Sequence, residues 1–247
     1  MTPKSLALRA LVPALLAAGL GGATAAQTNP PLPPLPPVRT AAELPPGVKL
    51  VPLSVKLPKP LFEGTPKNIK PAPTLEKYDE RPRPDFLVPE GCTNLARGKK
   101  VTSSDPEPII GELAQVTDGD KEGSDGSYVE LAPGKQWVQI DLGAPAVLYA
   151  VLLWHYHAQG RVYHDVVVQV ADDPDFIENV RTIYNNDFDN SSGLGLGKDL
   201  EYIDDSRGRL IDARGVRARY VRCYSRGNTS NDMNHYIEVE VHGKPAP

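Results

Sequence analysis

Cysteine is scarce: Cys92 and Cys223 are the only two in 247 residues, which excludes a scaffold built on several disulfides. One bridge between them needs close, well-directed Cβ atoms. The other reading makes Cys223 a small buried hydrophobe, beside Val221 on the core face of Tyr220-Val221-Arg222-Cys223. Catalytic signatures are missing as well. The chain has no G-x-S-x-G, no H-E-x-x-H and no C-x-x-C-H, so it is read as a non-enzyme. Neither sign of charge dominates. A formal net charge of −4 and a sequence pI near 5.8 provide no global attraction to nucleic acid or to an anionic membrane. Arg214, Arg217, Arg219, Arg222 and Arg226 cluster in sequence but read as solvated strand positions. Apolar spikes suited to lipid reduce to Leu194 and Leu196, so membrane lipid is not an expected partner. No long stretch carries helical periodicity.

What is present divides the chain into three. Lys4 and Arg9 precede a short apolar run, Ala10 to Leu20, followed by Ala23-Thr24-Ala25. This is the pattern of a signal peptide over residues 1–26; the run is too short to span a bilayer and Pro13 interrupts it. The absence of a cysteine at the cleavage site argues against a lipid anchor. An exported protein is expected, whether periplasmic, cell-surface or secreted. Most of the 26 prolines fall before residue 90, and residues 27–90 read as an extended, largely disordered polyproline spacer. Its later part, Asn68 to Pro89, is expected to lie along the surface of the C-terminal domain. That domain, residues 91–247, has a normal single-domain size.

The C-terminal part is all-β in pattern. Trp137 to Leu142 alternates with Val138, Ile140 and Leu142 on one face. Val147 to Trp154 is apolar on both faces, as in a central, fully covered strand. Val166 to Val170, Val180 to Tyr184, Val216 to Tyr224 and Ile237 to Val241 complete the series, separated by Gly, Asp, Asn and Pro clusters. Short strands with turn signals between them predict an antiparallel sandwich or barrel.

Five segments in order resemble the discoidin, or F5/8 type C, family. They are Asn94-Leu95-Ala96-Arg97-Gly98-Lys99 with Val101-Thr102-Ser103-Ser104, then Thr117-Asp118-Gly119-Asp120, then Trp137 to Gly143, then Arg219-Tyr220-Val221-Arg222, and lastly Glu238 to Gly243. The resemblance covers about residues 92 to 243. It implies an eight-stranded galactose-binding-like jelly-roll β-sandwich and a non-catalytic module that binds a glycan or glycoconjugate through loops at one end. It also implies a structural calcium ion held by Asp118, Asp120 and Glu238. The alternative for the turn is an Asp-Gly loop stabilised by side chain to backbone bonds.

Two polar segments supply the chemistry sugar recognition uses. His155, His157, Arg161, Tyr163 and His164 follow the central strand, and Arg226, Asn228, Asn231, Asn234 and His235 precede the last one. Arg, Asn and His bond paired hydroxyls, and a Tyr ring stacks on a pyranose. Each has a second reading: His155 as a buried histidine satisfied by the backbone, or the histidines together as a transition-metal site. Protein recognition by an envelope scaffold module would use the same loops. Asp187-Phe188-Asp189-Asn190-Ser191-Ser192-Gly193 begins like a calcium loop, but Lys198 occupies the twelfth position where a Glu is required; it is read as a polar loop.

Overall fold

The computed structural model describes residues 47–247, except residues 63 and 65; the expected signal peptide and the first part of the expected spacer lie outside the described residues. The alternating segment that begins at Trp137 forms the first half of β6 (Gln136–Trp154), and the segment after Val147 forms its second half. Its partner is β9 (Arg209–Ser225), antiparallel along nearly the whole length. The register breaks between Asp141 and Ala146 and again between Leu148 and Ala150. At the first break Asp141 Oδ1 accepts the Gly143 N–H at 2.8 Å, and Gly143 takes a φ of 87°, a left-handed conformation that glycine adopts without a Cβ clash.

The two halves of this ribbon belong to opposite layers. β4 (Lys100–Ser103) pairs with the first half of β6, and β7 (Val167–Ala171) with the second half of β9, with β8 (Arg181–Asn185) outside it. β11 (Glu238–Pro245) pairs with the second half of β6, and β3 (Thr93–Asn94) with β11. Val138, Ile140, Val168 and Val221 from one layer and Leu148, Val151, Leu153, Val239 and Val241 from the other share one apolar core. The fold is an antiparallel jelly-roll sandwich, and a short pair, β5 (Val129–Leu131) with β10 (Asn234–Tyr236), lies beside it.

The second half of β6 is apolar on both sides for a specific reason. Ala150, Leu152 and Trp154 face outward with Ile237, and Leu53, Val55 and Phe86 pack on them. The described residues between 47 and 89 therefore form a strap on the sandwich. Its ends join as β1 (Leu50–Pro52) with β2 (Leu87–Pro89). Its middle is tied by backbone bonds from Glu76 to Glu201 at 2.9 Å and from Glu201 to Thr74 at 2.8 Å, and Ile69 is buried with Val162 and Ile203. Prolines exclude helix and sheet interior but leave apolar side chains free to pack.

Cys92 and Cys223 are both free thiols. Cys223 sits in the sandwich core, where burial pushes its thiol up to about 12; of the two readings of this pair, the structure takes the unbridged one.

Candidate functional site

The two polar segments meet at one end of the sandwich. The His164 N–H donates to the Gly227 carbonyl at 3.1 Å, the Arg226 N–H donates to the His164 carbonyl at 2.9 Å, and Tyr163 bridges to Asn228. Most of the expected ligand contacts, however, lie beneath the surface. His155, His157, Tyr163, Asn234 and His235 are each at most 2% exposed, and their polar atoms serve the protein itself. The Tyr163 hydroxyl lies 2.8 Å from His235 Nδ1, and His235 Nε2 lies 2.9 Å from Glu130. The His155 ring stacks on Tyr163 at 4.2 Å and places Nδ1 3.3 Å from Asp204. His157 Nε2 donates to the Lys121 carbonyl at 2.9 Å.

Asn234 makes four bonds. Its Oδ1 accepts from the Ser225 hydroxyl and the Gly227 N–H, and its Nδ2 donates to the Ala132 and Gly134 carbonyls. Asn228 and Asn231 close their own loop at 2.8 Å. Arg161 is buried with its guanidinium 4.6 Å from the Tyr156 ring centroid. Burial, with the charges of Arg161 and His155, pushes His235 down to about 4. These residues form a buried polar layer rather than a contact surface, because a side chain without exposed atoms cannot touch a soluble ligand. Nor do the histidines gather: among the described residues, no three potential metal ligands that include a histidine place their donor atoms within 4.8 Å of one another.

Loops that include His164 and Arg226 enclose an open groove of about 670 Å³. His164 and Arg226 line it, together with Asp165, Asn186, Phe188 and Asp189. Arg226 Nη1 lies 3.6 Å from Asp165 Oδ2, which also accepts the Ser191 hydroxyl at 2.5 Å. His164 Nδ1 lies 3.4 Å from Glu201. Asn186 is 3% exposed; its Oδ1 accepts the Val166 N–H at 2.7 Å, and its buried amide interacts with the Tyr184 side chain. Phe188 is 39% exposed, an apolar ring at the rim of a polar groove. Beneath it the Asp187 carboxylate accepts the Ser191 and Ser192 N–H groups at 3.0 and 2.9 Å, the loop-closing role that polar turns favour. The backbone N–H of Ser191 holds the Asp189 carboxyl below its usual range, whereas burial raises that of Asp165. Sequence reasoning placed His164 and Arg226 among the ligand contacts but missed Asp165, Asn186 and Phe188. The aspartate-rich run around Phe188 was visible; that it folds back over β7 was not.

The acidic turn lies apart from this groove. Asp118 and Asp120 each accept a backbone N–H two residues on, from Asp120 at 2.7 Å and from Glu122 at 2.9 Å. Glu238, at the start of β11, is fully buried; its Oε2 accepts the Gly119 N–H at 2.9 Å and its Oε1 has no partner. Burial pushes its carboxyl up to about 8. A buried carboxylate oxygen without a partner, next to two more carboxylates, has the donor chemistry of a hard-cation site. The three carboxylates do not themselves close to within 4.8 Å, so backbone oxygens would have to complete the shell.

No family model matches the chain, and a search of curated proteins returns no match. Solved structures do resemble it. The CBM32 of AlyQ, in complex with 4,5-unsaturated mannuronic acid, is 20% identical with a TM-score of 0.40, over 57% of this chain and 92% of that one. The fucolectin from striped bass (Morone saxatilis) serum is 18% identical with a TM-score of 0.44, over 64% of this chain and 50% of that one. A family 89 glycoside hydrolase from Clostridium perfringens is 21% identical with a TM-score of 0.46, over 62% of this chain; the match spans 15% of that enzyme's length.

Proposed function

We propose that this protein is a non-catalytic, exported carbohydrate-binding module whose ligand lies in the groove at the loop end of the sandwich. The observation that carries the reading is the groove itself. It is open, and it combines the Arg226 guanidinium, the His164 ring and the exposed Phe188 ring. Guanidinium and imidazole groups bond sugar hydroxyls, and an aromatic face stacks on the apolar side of a pyranose. The buried bonds of Asn234 to Gly227 and Gly134 hold the adjoining loops in place, which reduces the ordering cost of binding.

A calcium ion at the acidic turn, with Glu238 as its buried ligand and Asp118 and Asp120 at its rim, acts structurally in this reading. It neutralises Glu238 and ties the turn to β11. Export is inferred from the pattern of residues 1–26 and is tested by fractionating cells and sequencing the N-terminus of the mature protein.

The direct test is a glycan array with the mature chain, run in calcium and in chelator. Binding to a defined sugar supports the reading, and R226A and F188A should then abolish it while leaving the melting temperature unchanged. Silence from folded protein in both conditions would remove the lectin reading in favour of an envelope-protein partner.

A further inference from the structure

One wall of the groove comes from the strap rather than from the sandwich. Thr74 lines it beside Glu201 and His164. The strap turns there: the Leu75 N–H donates to the Ala72 carbonyl at 3.1 Å, and Pro73, second of the four residues, presets the backbone for such a turn. The turn delivers the following residues to Glu201. Leu75 bridges to Glu201 in parallel, the Glu201 N–H donates to the Thr74 carbonyl at 2.8 Å, and the Glu76 N–H donates to the Glu201 carbonyl at 2.9 Å. Glu76 is fixed in turn by Arg209, whose Nη1 lies 2.8 Å from both of its carboxylate oxygens.

The side chains carry the same connection into the groove. The Thr74 hydroxyl donates to Glu201 Oε2 at 2.9 Å, and Glu201 Oε1 lies 3.4 Å from His164 Nδ1. The bond from His164, followed by that from Thr74, holds the Glu201 carboxyl below its usual range against the opposing effect of burial. An ionised carboxylate only accepts, so the proton of a neutral His164 ring sits on Nδ1 and Nε2 is left as an acceptor. The ring is 44% exposed and lines the groove, so what it offers a ligand follows from which nitrogen carries the proton. Both the place of Glu201 and the direction of its carboxylate are thus set by residues 74–76 of the strap.

We propose that Thr74 is a positioning residue of the groove: through Glu201 it holds the His164 ring with Nε2 free to accept a sugar hydroxyl, which makes the strap part of the binding site. This rests on the carbohydrate reading of the groove and deepens it. The sandwich from residue 91 onward then carries an incomplete site. A sugar bonded to His164 favours the docked strap by the same free energy with which the strap favours the sugar.

The mature protein tests it beside T74V, which keeps the shape and loses the hydroxyl, T74S, which keeps the hydroxyl, and E201A. Nitrogen NMR of the His164 ring in mildly alkaline buffer is the first readout and needs no sugar. The wild type and T74S should carry the ring proton on Nδ1, whereas in T74V and E201A the ring signals should move toward those of free histidine. On a glycan array, the sugars that the wild type binds should bind T74V and E201A about tenfold more weakly, as for the loss of one hydrogen bond to a charged group. T74S should restore binding. Because Thr74 acts through Glu201, T74V should add no further loss in the E201A background. A wild-type proton on Nε2, ring signals unmoved by T74V, or additive losses in the double variant overturns the proposal. A silent array together with the expected ring signals instead removes the sugar as occupant, and with it the carbohydrate reading, while the link from strap to histidine stands.

Discussion

His235 illustrates what a single side chain does at this end of the molecule. Its imidazole is placed between the Tyr163 hydroxyl and Glu130, and burial holds it near 4 against 6.5 in the unfolded chain. The unfolded state therefore takes up its proton first as the pH falls. The stability this contributes is complete above about pH 6.5 and lost as the pH falls toward 4, at most about 3 kcal/mol. The buried Asp204, whose carboxyl is raised by burial, works in the opposite sense, so the difference between wild type and variant is the informative quantity. Urea unfolding at pH 7 and pH 4.5 should show a smaller loss in H235Q than in the wild type. An equal loss would mean that the ring is not held neutral. The sequence identified His155, His157 and His235 as polar residues at strand ends. It could not tell inward from outward, because His155 and His157 lie past the end of β6, where alternation no longer assigns faces, and His235 sits in a three-residue strand too short to show any.

Among the elements, the strap separates a local reading from a tertiary one. Its prolines announce extended chain, and that is its backbone. Its few apolar residues, Leu53, Val55, Phe86 and Ile69, then cover Trp154, Leu152 and Ile203. The two-sided apolar pattern of Val147 to Trp154 was a legible sign that something covers the outer face; nothing in the sequence named what does. Removing residues 27–90 should expose Trp154 and Leu152 to water. Burying each such side chain is worth roughly 1.5–3 kcal/mol, so the sandwich from residue 91 should melt well below one that starts at residue 47, or aggregate. Equal melting temperatures for the two would show the strap to be loosely held.

For the whole molecule the question is what closes the fold without a covalent staple. Both cysteines are free, so a reducing agent should leave the melting temperature unchanged; a drop would reveal a bridge. A calcium ion at Glu238 would supply part of the missing constraint by binding the folded state alone. Calorimetric melting in millimolar calcium should exceed that in chelator by several degrees, with the difference lost in E238Q. An unchanged midpoint in the wild type removes calcium from the account.

The sequence alone determined the sandwich, because strand alternation and turn residues are local properties written at every position. That one long β6 pairs with β9 across both layers came only from the tertiary structure. The sequence also marked two polar segments, without showing that they share one end of the sandwich. Only the tertiary structure decided which of their residues reach solvent: His164 and Arg226 stand at the groove, while His155, His157, Tyr163, Asn234 and His235 are buried. Asp165, Asn186 and Phe188 complete the groove lining. Burial is a property of what packs above a residue, here loops and a strap from distant parts of the chain, and neighbouring residues in sequence carry no record of it.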